Sequence, residues 1–251
     1  ESLIRPTTKF IYLETPTNPA IELIDLALVN AIAKKHNLLL IVDNCFATPY
    51  LQQPIKYGAD LVIHSATKYM DGQGRVLGGI VAGRADLVKD IYLFGRLTGP
   101  SLSPFNSWVL SKSLETLALR MERHCENALC VAQKLEGHSA LENVSYPFLD
   151  SHPQVDIARK QMKAGGGIIT ITLKGGQAAA SKFLDGLKMI KISPNLGDAR
   201  SIATHPASST HCKLTPEERA TVGISDGLVR ISIGLEHRED ILNDLLQALD
   251  A

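Results

Sequence analysis

The sequence predicts an α/β protein in two parts: a parallel sheet with crossover helices over residues 1–120, then a smaller α+β domain with an antiparallel sheet over residues 121–251. Three observations carry this. Apolar runs ending at Glu14, Asp43 and Ser65 are separated by a helical stretch and a short irregular one, the order of a parallel sheet with crossovers. Past residue 164 the pattern changes to alternation, as in GGGIITITL, which suits strands with one wet face. With 251 residues, 45% hydrophobic and 21% charged, the chain can bury a substantial core.

The elements follow in order. KFIYL (9–13) reads as a buried strand, and the proline-marked ETPTNPA (14–20) as the loop after it. Asp25 suits the N-cap of a helix whose apolar positions Leu26, Val29, Ile32 and Ala33 recur at helical spacing, with Asn37 at its end. LLLIVDN (38–44) lacks alternation and predicts a strand buried on both faces. ADLVIHS (59–65) is a third such run and GGIVAG (78–83) a fourth. Ser103-Pro104 forms a helix start, and apolar positions from Trp108 to Leu135 carry helix as far as Gly137. That span is long for one helix, which predicts a break near residue 120, where the division of domains is placed. Beyond it, KMIKIS (188–193) and GLVRISIG (227–234) resemble GGGIITITL as strands, and Ile241, Leu245 and Leu249 share one face of a final helix.

Composition excludes several classes. Lys+Arg and Asp+Glu are both 26, so no basic surface recommends a nucleic acid or an anionic membrane as partner. No apolar run reaches membrane-spanning length, and no signal peptide is expected. Cys45, Cys125, Cys130 and Cys212 form no CxxC pair and are too few for a disulfide scaffold, so reduced thiols in a cytosol are expected. His64, His205 and His211 fit no zinc spacing, and no metal site is expected. Opening on Glu1, already close to a strand, the sequence reads as part of a longer polypeptide.

In parallel sheets ligands collect at the carboxyl ends of the strands, which picks out Glu14, Asp43 and Ser65 to Lys68. Asp43 has two readings: a turn-capping aspartate, or a buried carboxylate waiting for a cationic or protonated partner. A Mg²⁺-binding aspartate also ends an apolar strand, but the phosphate loop GxxxxGK[ST] that such a site needs does not occur here. Lys68 could simply reach solvent. Yet the hydroxyls of Ser65 and Thr67 precede it and glycines follow, a setting that can receive a phosphate. A lysine desolvated there becomes a nucleophilic amine. A Schiff-base lysine, a phosphate cradle and an acid facing a ring nitrogen are together what pyridoxal 5'-phosphate demands. Arg230, inside GLVRISIG, is either outward-facing on a wet strand face or a clamp on a substrate carboxylate.

At these residues the sequence resembles the pyridoxal-phosphate-dependent enzymes of Cys/Met metabolism. SATKY, ETPTNP, DNCFATPYLQQP and VRISIGLE carry the resemblance, which runs along nearly all 251 residues. It implies the aspartate-aminotransferase-like fold (fold type I) and subunits assembled as a homotetramer, a dimer of dimers. It also implies roles: Lys68 holds the cofactor, Asp43 faces its pyridine nitrogen, Ser65 and Thr67 hold its phosphate, and Asn18 lies near its ring hydroxyl. Arg230 grips the substrate carboxylate, and Asn195 in SPNLGD helps orient that carboxylate and the lysine. Several lyases of the family have Ser at this last position, and sulfhydrylases commonly have Asn.

Two departures stand out. The usual DNTF is DNCF here, which places Cys45 beside Asp43 and predicts a packing substitution. The family's N-terminal portion supplies a ring-stacking tyrosine, a glycine turn for phosphate and residues lent to the neighbouring subunit. It has no counterpart in these residues, so they are expected to form an incomplete site. The stretch DGQGRVLGG (71–79), together with RLTGPSLSPFNSW (96–108), resembles sulfhydrylases acting on O-succinylhomoserine. This implies γ-replacement of succinate by sulfide, with cystathionine γ-synthase or a γ-lyase as the alternative on the same scaffold. A non-catalytic fragment or degenerate homologue is a remoter one. Arg75 is the basic side chain near Lys68 in sequence available to a succinyl carboxylate.

Overall fold

In the computed structural model, which describes residues 1–251, the chain builds two sheets bridged by a long helix. The first half contains β1 (Phe10–Glu14), α1 (Leu26–Lys35), β2 (Leu39–Asp43), α2 (Thr48–Leu51), β3 (Leu61–Ser65), β4 (Gly79–Gly83), α3 (Ala85–Thr98) and α4 (Pro104–Leu114). Then come α5 (Leu117–Leu135), β5 (Leu141–Ser145), α6 (Val155–Gln161), β6 (Ile168–Leu173), α7 (Gly176–Gly186), β7 (Lys191–Ile192) and β8 (Ile202–Thr204). The chain closes with α8 (Pro216–Thr221), β9 (Leu228–Ser232) and α9 (Arg238–Leu249).

The first sheet runs in the order β1-β2-β3-β4. β1, β2 and β3 are parallel, as the apolar runs predict, but β4 is antiparallel to β3. A parallel return needs a crossover of a dozen or more residues, usually a helix. Here the connection is taken up by the turn Ala66–Met70 and a glycine loop. Asp25 caps α1 by accepting from the Ala27 and Leu28 amides, and Asn37 turns the chain out of it at φ 53°.

Burial in β2 alternates, contrary to the reading of a strand covered on both faces. Leu40 and Val42 pack with Leu13, Leu26, Ala33, Ala59 and Val62 beneath α1, while Leu39, Ile41 and Asp43 stay half-buried on the other face. The predicted helix break also moves: α4 ends before Glu115 and Thr116, and α5 runs unbroken through residue 120. Leu117, Met121 and Cys125 join the apolar cluster beside the first sheet. Ala128, Val131, Ala132 and Leu135 join that of the second. Helix α3, which the periodicity did not predict, buries none of its residues.

The second sheet has the order β5-β6-β9-β8-β7, antiparallel except for the short parallel pair β7–β8. KMIKIS contributes only the two exposed residues of β7. The wet face expected for GGGIITITL is partly covered: Thr170 is buried opposite Arg230, while Thr172 stays half-buried. That face looks toward the loops at the ends of the first sheet's strands, whereas Ile169 and Ile171 fill the core beneath α5, α7 and α9.

Candidate active site

The parallel register sets three polar residues side by side at the strand ends. Glu14 pairs with Asp43, Asp43 with Ile63, and Ser65 follows two residues on. Past Ser65 the chain makes a single wide turn closed by the Asp71 amide on the Ala66 carbonyl at 3.0 Å. Lys68 sits inside this turn at φ −88°, ψ −132°, outside the helical region. The turn is pinned to the glycine loop: the Ala66 amide donates to the Gly78 carbonyl at 2.9 Å, and the Gly78 amide to the Thr67 hydroxyl at 3.1 Å. Thr67 therefore already has a partner within the chain.

The second sheet supplies the other half. β9 buries Val229 and Ile231 in the apolar core and so turns Arg230 to the opposite face, where it is 2% exposed. This removes the reading of Arg230 as an outward-facing residue on a wet strand face. Its guanidinium donates to Asn18 Oδ1 at 2.8 Å, to the Pro194 carbonyl at 2.8 Å and to the Asn195 carbonyl at 3.0 Å. All three acceptors are neutral. Burial holds its pKa down at about 10, against the attraction of Tyr69 and Glu14. A buried arginine with no carboxylate in contact is a costly arrangement unless an anion joins it.

Lys68 Nζ donates to Asn195 Oδ1, so Lys68, Asn195, Arg230 and Asn18 form one hydrogen-bonded chain across both sheets. Burial, and then repulsion from Arg230, lowers the Lys68 pKa below that of an ordinary lysine. Both effects favour the free amine, the nucleophilic form.

Glu14 lies at the same edge and accepts from the Asn18 amide at 3.2 Å. Burial raises its pKa to about 7, with Asp43 adding to the rise and the Asn18 hydrogen bond and Arg230 opposing it. Sequence position singles out Glu14 as a strand end but gives no hint of this perturbation. Tyr12 is a contact the sequence reading missed: its hydroxyl donates to Asp43 Oδ2 at 3.3 Å. Tyr12 and Glu14 are two apart on one strand, so period-two counting from Glu14 would have found it.

The substitution in DNCF has a structural account. Cys45 Sγ accepts from the Ser65 amide at 2.6 Å, and the Cys45 amide donates to Asp43 Oδ1 at 3.0 Å, tying the ends of β2 and β3 together. Burial and then Asp43 push the thiol up to about 12, which makes it a poor nucleophile. Arg75, by contrast, does not stand free for a succinyl carboxylate. Its guanidinium is held by Asp71 at 3.1 Å and by the Ser113 hydroxyl at 2.8 Å, so its charge is already met inside the fold.

A desolvated lysine and a carboxylate at neighbouring strand ends, with hydroxyls on the lysine's own turn, fit pyridoxal phosphate. A buried arginine with neutral partners fits the carboxylate of an amino acid. This α/β architecture is that of a fold type I pyridoxal-phosphate enzyme. The chain belongs to the Cys/Met metabolism PLP-dependent enzyme family, which it matches over residues 1–250.

Over 251 residues it is 48% identical to the O-succinylhomoserine sulfhydrylase of Pseudomonas aeruginosa, covering 100% of this chain and 62% of that protein. It is 47% identical over 254 residues to the L-methionine gamma-lyase of Porphyromonas gingivalis, covering 100% of this chain and 64% of that protein. The crystal structure of cystathionine gamma synthase from Xanthomonas oryzae pv. oryzae, in complex with cystathionine, matches with a TM-score of 0.94 at 42% identity. That match covers 96% of this chain and 63% of the other. The chain thus spans less than two-thirds of the length of each of these relatives. No helix is long and apolar enough to cross a membrane.

Proposed function

We propose that the full-length protein replaces the succinyl group of O-succinylhomoserine with sulfide, giving homocysteine and succinate, a step of methionine biosynthesis. The observation that carries the reading is the hydrogen-bonded chain Lys68–Asn195–Arg230–Asn18, buried at Arg230 and half-buried elsewhere, which sets a carboxylate clamp within one residue of a low-pKa amine. DGQGRVLGG and the sulfhydrylase relative support this substrate.

Lys68 would hold the cofactor covalently, Asp43 would keep its ring nitrogen protonated, Ser65 and Thr67 would receive its phosphate, and Asn18 would lie at its ring hydroxyl. When bound, the cofactor supplies an electron sink for charge developing next to the substrate amine. Arg230 binds the substrate carboxylate through paired N–H donors, fixing the Cα–H bond toward Lys68. Lys68, released as a free amine, takes the proton from Cα and then moves protons at Cβ. Asn195 accepts from that amine and holds it on line. Succinate leaves from Cγ, and sulfide adds at the same carbon.

The test supplies full-length protein with O-succinylhomoserine and sulfide and measures homocysteine. A second reading, γ-elimination from methionine or cystathionine, or cystathionine synthesis, has equal support from the L-methionine gamma-lyase and cystathionine gamma synthase relatives. Cleavage of methionine or cystathionine without homocysteine formation selects a lyase, and formation of cystathionine from cysteine selects a synthase. Borohydride reduction that leaves Lys68 unlabelled in the full-length protein sinks all these enzymatic readings and leaves the non-catalytic one. The proposed assembly is a cytoplasmic homotetramer, to be checked by light scattering of the full-length protein. The proposed division of domains near residue 120 predicts limited proteolysis around α4 and α5.

A further inference from the structure

Arg120 is a buried charge that the proposed chemistry does not use. It lies in the first turn of α5, is 8% exposed, and makes no ion pair. Instead its donors go to main-chain carbonyls. Nη1 donates to the Tyr69 carbonyl at 2.5 Å, and Nη2 to the Met70 carbonyl at 3.2 Å and the Ser113 carbonyl at 2.9 Å. Nε donates to the Thr116 hydroxyl at 3.2 Å, which orients the guanidinium. Two of these carbonyls belong to the turn that carries Lys68.

Those carbonyls need an outside donor because of how the turn ends. Gly72 and Gly74 take φ of 73° and 65°, so the chain leaves the helical path before another main-chain amide reaches the Tyr69 or Met70 carbonyl. Unpaired buried carbonyls are costly, and a guanidinium can satisfy two at once. The approach also depends on Gly72, where a Cβ would lie 2.2 Å from Arg120 Nη1.

The same helix face holds the turn a second time. His124, one helical turn after Arg120, packs edge-on against the Tyr69 ring at 5.1 Å between centroids. Its Nδ1 lies 2.6 Å from the Ile233 carbonyl, just past β9. From the other side the loop bearing Asn195 presses on the turn: a Cβ at Gly197 would lie 2.6 Å from the Tyr69 amide, and the Ala199 amide donates to the Gly72 carbonyl at 2.7 Å.

We propose that Arg120 is a positioning residue for Lys68: by clasping the Tyr69 and Met70 carbonyls it holds the lysine's turn against the Asn195 loop and so keeps the Lys68 amine within reach of Asn195 and Arg230. The inference deepens the reading of Lys68 as the reactive amine and rests on it. Arg120 acts through the backbone and touches no reacting atom.

The test is Arg120→Gln, with Arg120→Lys beside it, in the full-length protein. The first readout is the pH dependence of reductive methylation of Lys68 in cofactor-free protein, followed by peptide mass spectrometry. The charged and titratable groups facing Lys68 are Arg230 on β9 and Cys45 after β2, both unchanged in these variants. In the wild type the midpoint is expected below the ordinary 10.5, and in R120Q it should rise toward that value as the amine leaves its desolvated place beside Arg230. R120K, which keeps a cationic donor group but loses the fork that reaches both carbonyls, should fall between. The second readout is a kinetic split: kcat falls about a hundredfold in R120Q while KM stays within about threefold, as expected for a misplaced reacting group.

A folded R120Q with the wild-type methylation midpoint and wild-type kcat overturns the proposal. Should R120Q not fold, R120K decides: a wild-type midpoint and kcat there overturn it equally. A shifted midpoint in a protein whose Lys68 never carries the cofactor keeps the positioning role and rejects the enzymatic reading, so the two failures are separable.

Discussion

The two sheets treat their polar residues in opposite ways. The second sheet, with α5, α7 and α9, closes a cluster of 23 buried apolar side chains, including Phe183, Ile169 and Ile231. The first sheet shares a cluster of only seven with α1, and its other face presents Tyr12, Glu14, Asp43 and Ser65 half-covered or exposed. One sheet is stable because almost everything on its inner face is apolar. The other keeps a row of ionisable groups at its strand ends, an arrangement that costs stability and tunes pKa values. Arg230 is where they meet, since its neighbours in sequence anchor it in the larger core while its guanidinium faces the site.

The comparison predicts that chemistry and stability can be broken separately. The largest effect is expected at Lys68: Lys68→Ala in the full-length protein should cost about a thousandfold or more in kcat/KM. Its melting temperature should barely move, and borohydride should fix no cofactor. Next is Phe183→Ala, which empties a fully buried site in the larger core and should cost about 3–5 kcal/mol in urea unfolding. Enzyme still folded should keep its kcat; a matching loss of kcat would mean that the division between the sheets is wrong.

Arg230→Lys keeps the charge but loses the paired donors, and should raise KM for the amino-acid substrate about tenfold to a hundredfold. An unchanged KM would remove Arg230 from the carboxylate site. The smallest effect is on pH dependence at Glu14, measured without cofactor. Its carboxyl is raised from 4.5 in the unfolded chain to about 7 in the folded protein. Between these values the folded state holds a proton that the unfolded state has released, so stability falls as pH rises through this window. Glu14→Gln should therefore be neutral near pH 4 and stabilising above about pH 7. Solvent screening at this partly exposed group keeps the gain on the order of 1 kcal/mol. Urea midpoints that differ from wild type equally at pH 5 and pH 8 would refute it.

Much of the fold was legible, and the misses share a cause. β1, β2, β3, β9, α1 and α9 follow from runs, caps and periodicity within each segment. The orientation of β4, the half-open face of β2 and the burial of Thr170 on β6 do not, because each depends on what packs against the strand from elsewhere in the chain. Lys68, Asp43, Ser65 and Asn18 stand out by lying at strand ends or in a recognisable motif. Arg120 reads as an ordinary helical arginine until the carbonyls of the turn at residues 69 and 70 are placed before it. Arg75 erred the other way: close to Lys68 in sequence, it is paired with Asp71 and hydrogen-bonded to Ser113.

By itself the sequence determined that the runs of β1, β2, β3 and β9 become strands, where these end, and that a lysine follows one of those ends amid hydroxyls and glycines. These are local properties, written in the spacing of apolar side chains and in the turn chemistry between them. Tertiary structure decided what surrounds that lysine. Asn195, 127 positions away in sequence, reaches its amine, and Arg230 reaches Asn18 across 212. Burial and the field of Arg230 then lower the lysine's pKa. Desolvation and charge act through space, so only the packing of one sheet against the ends of the other could set them.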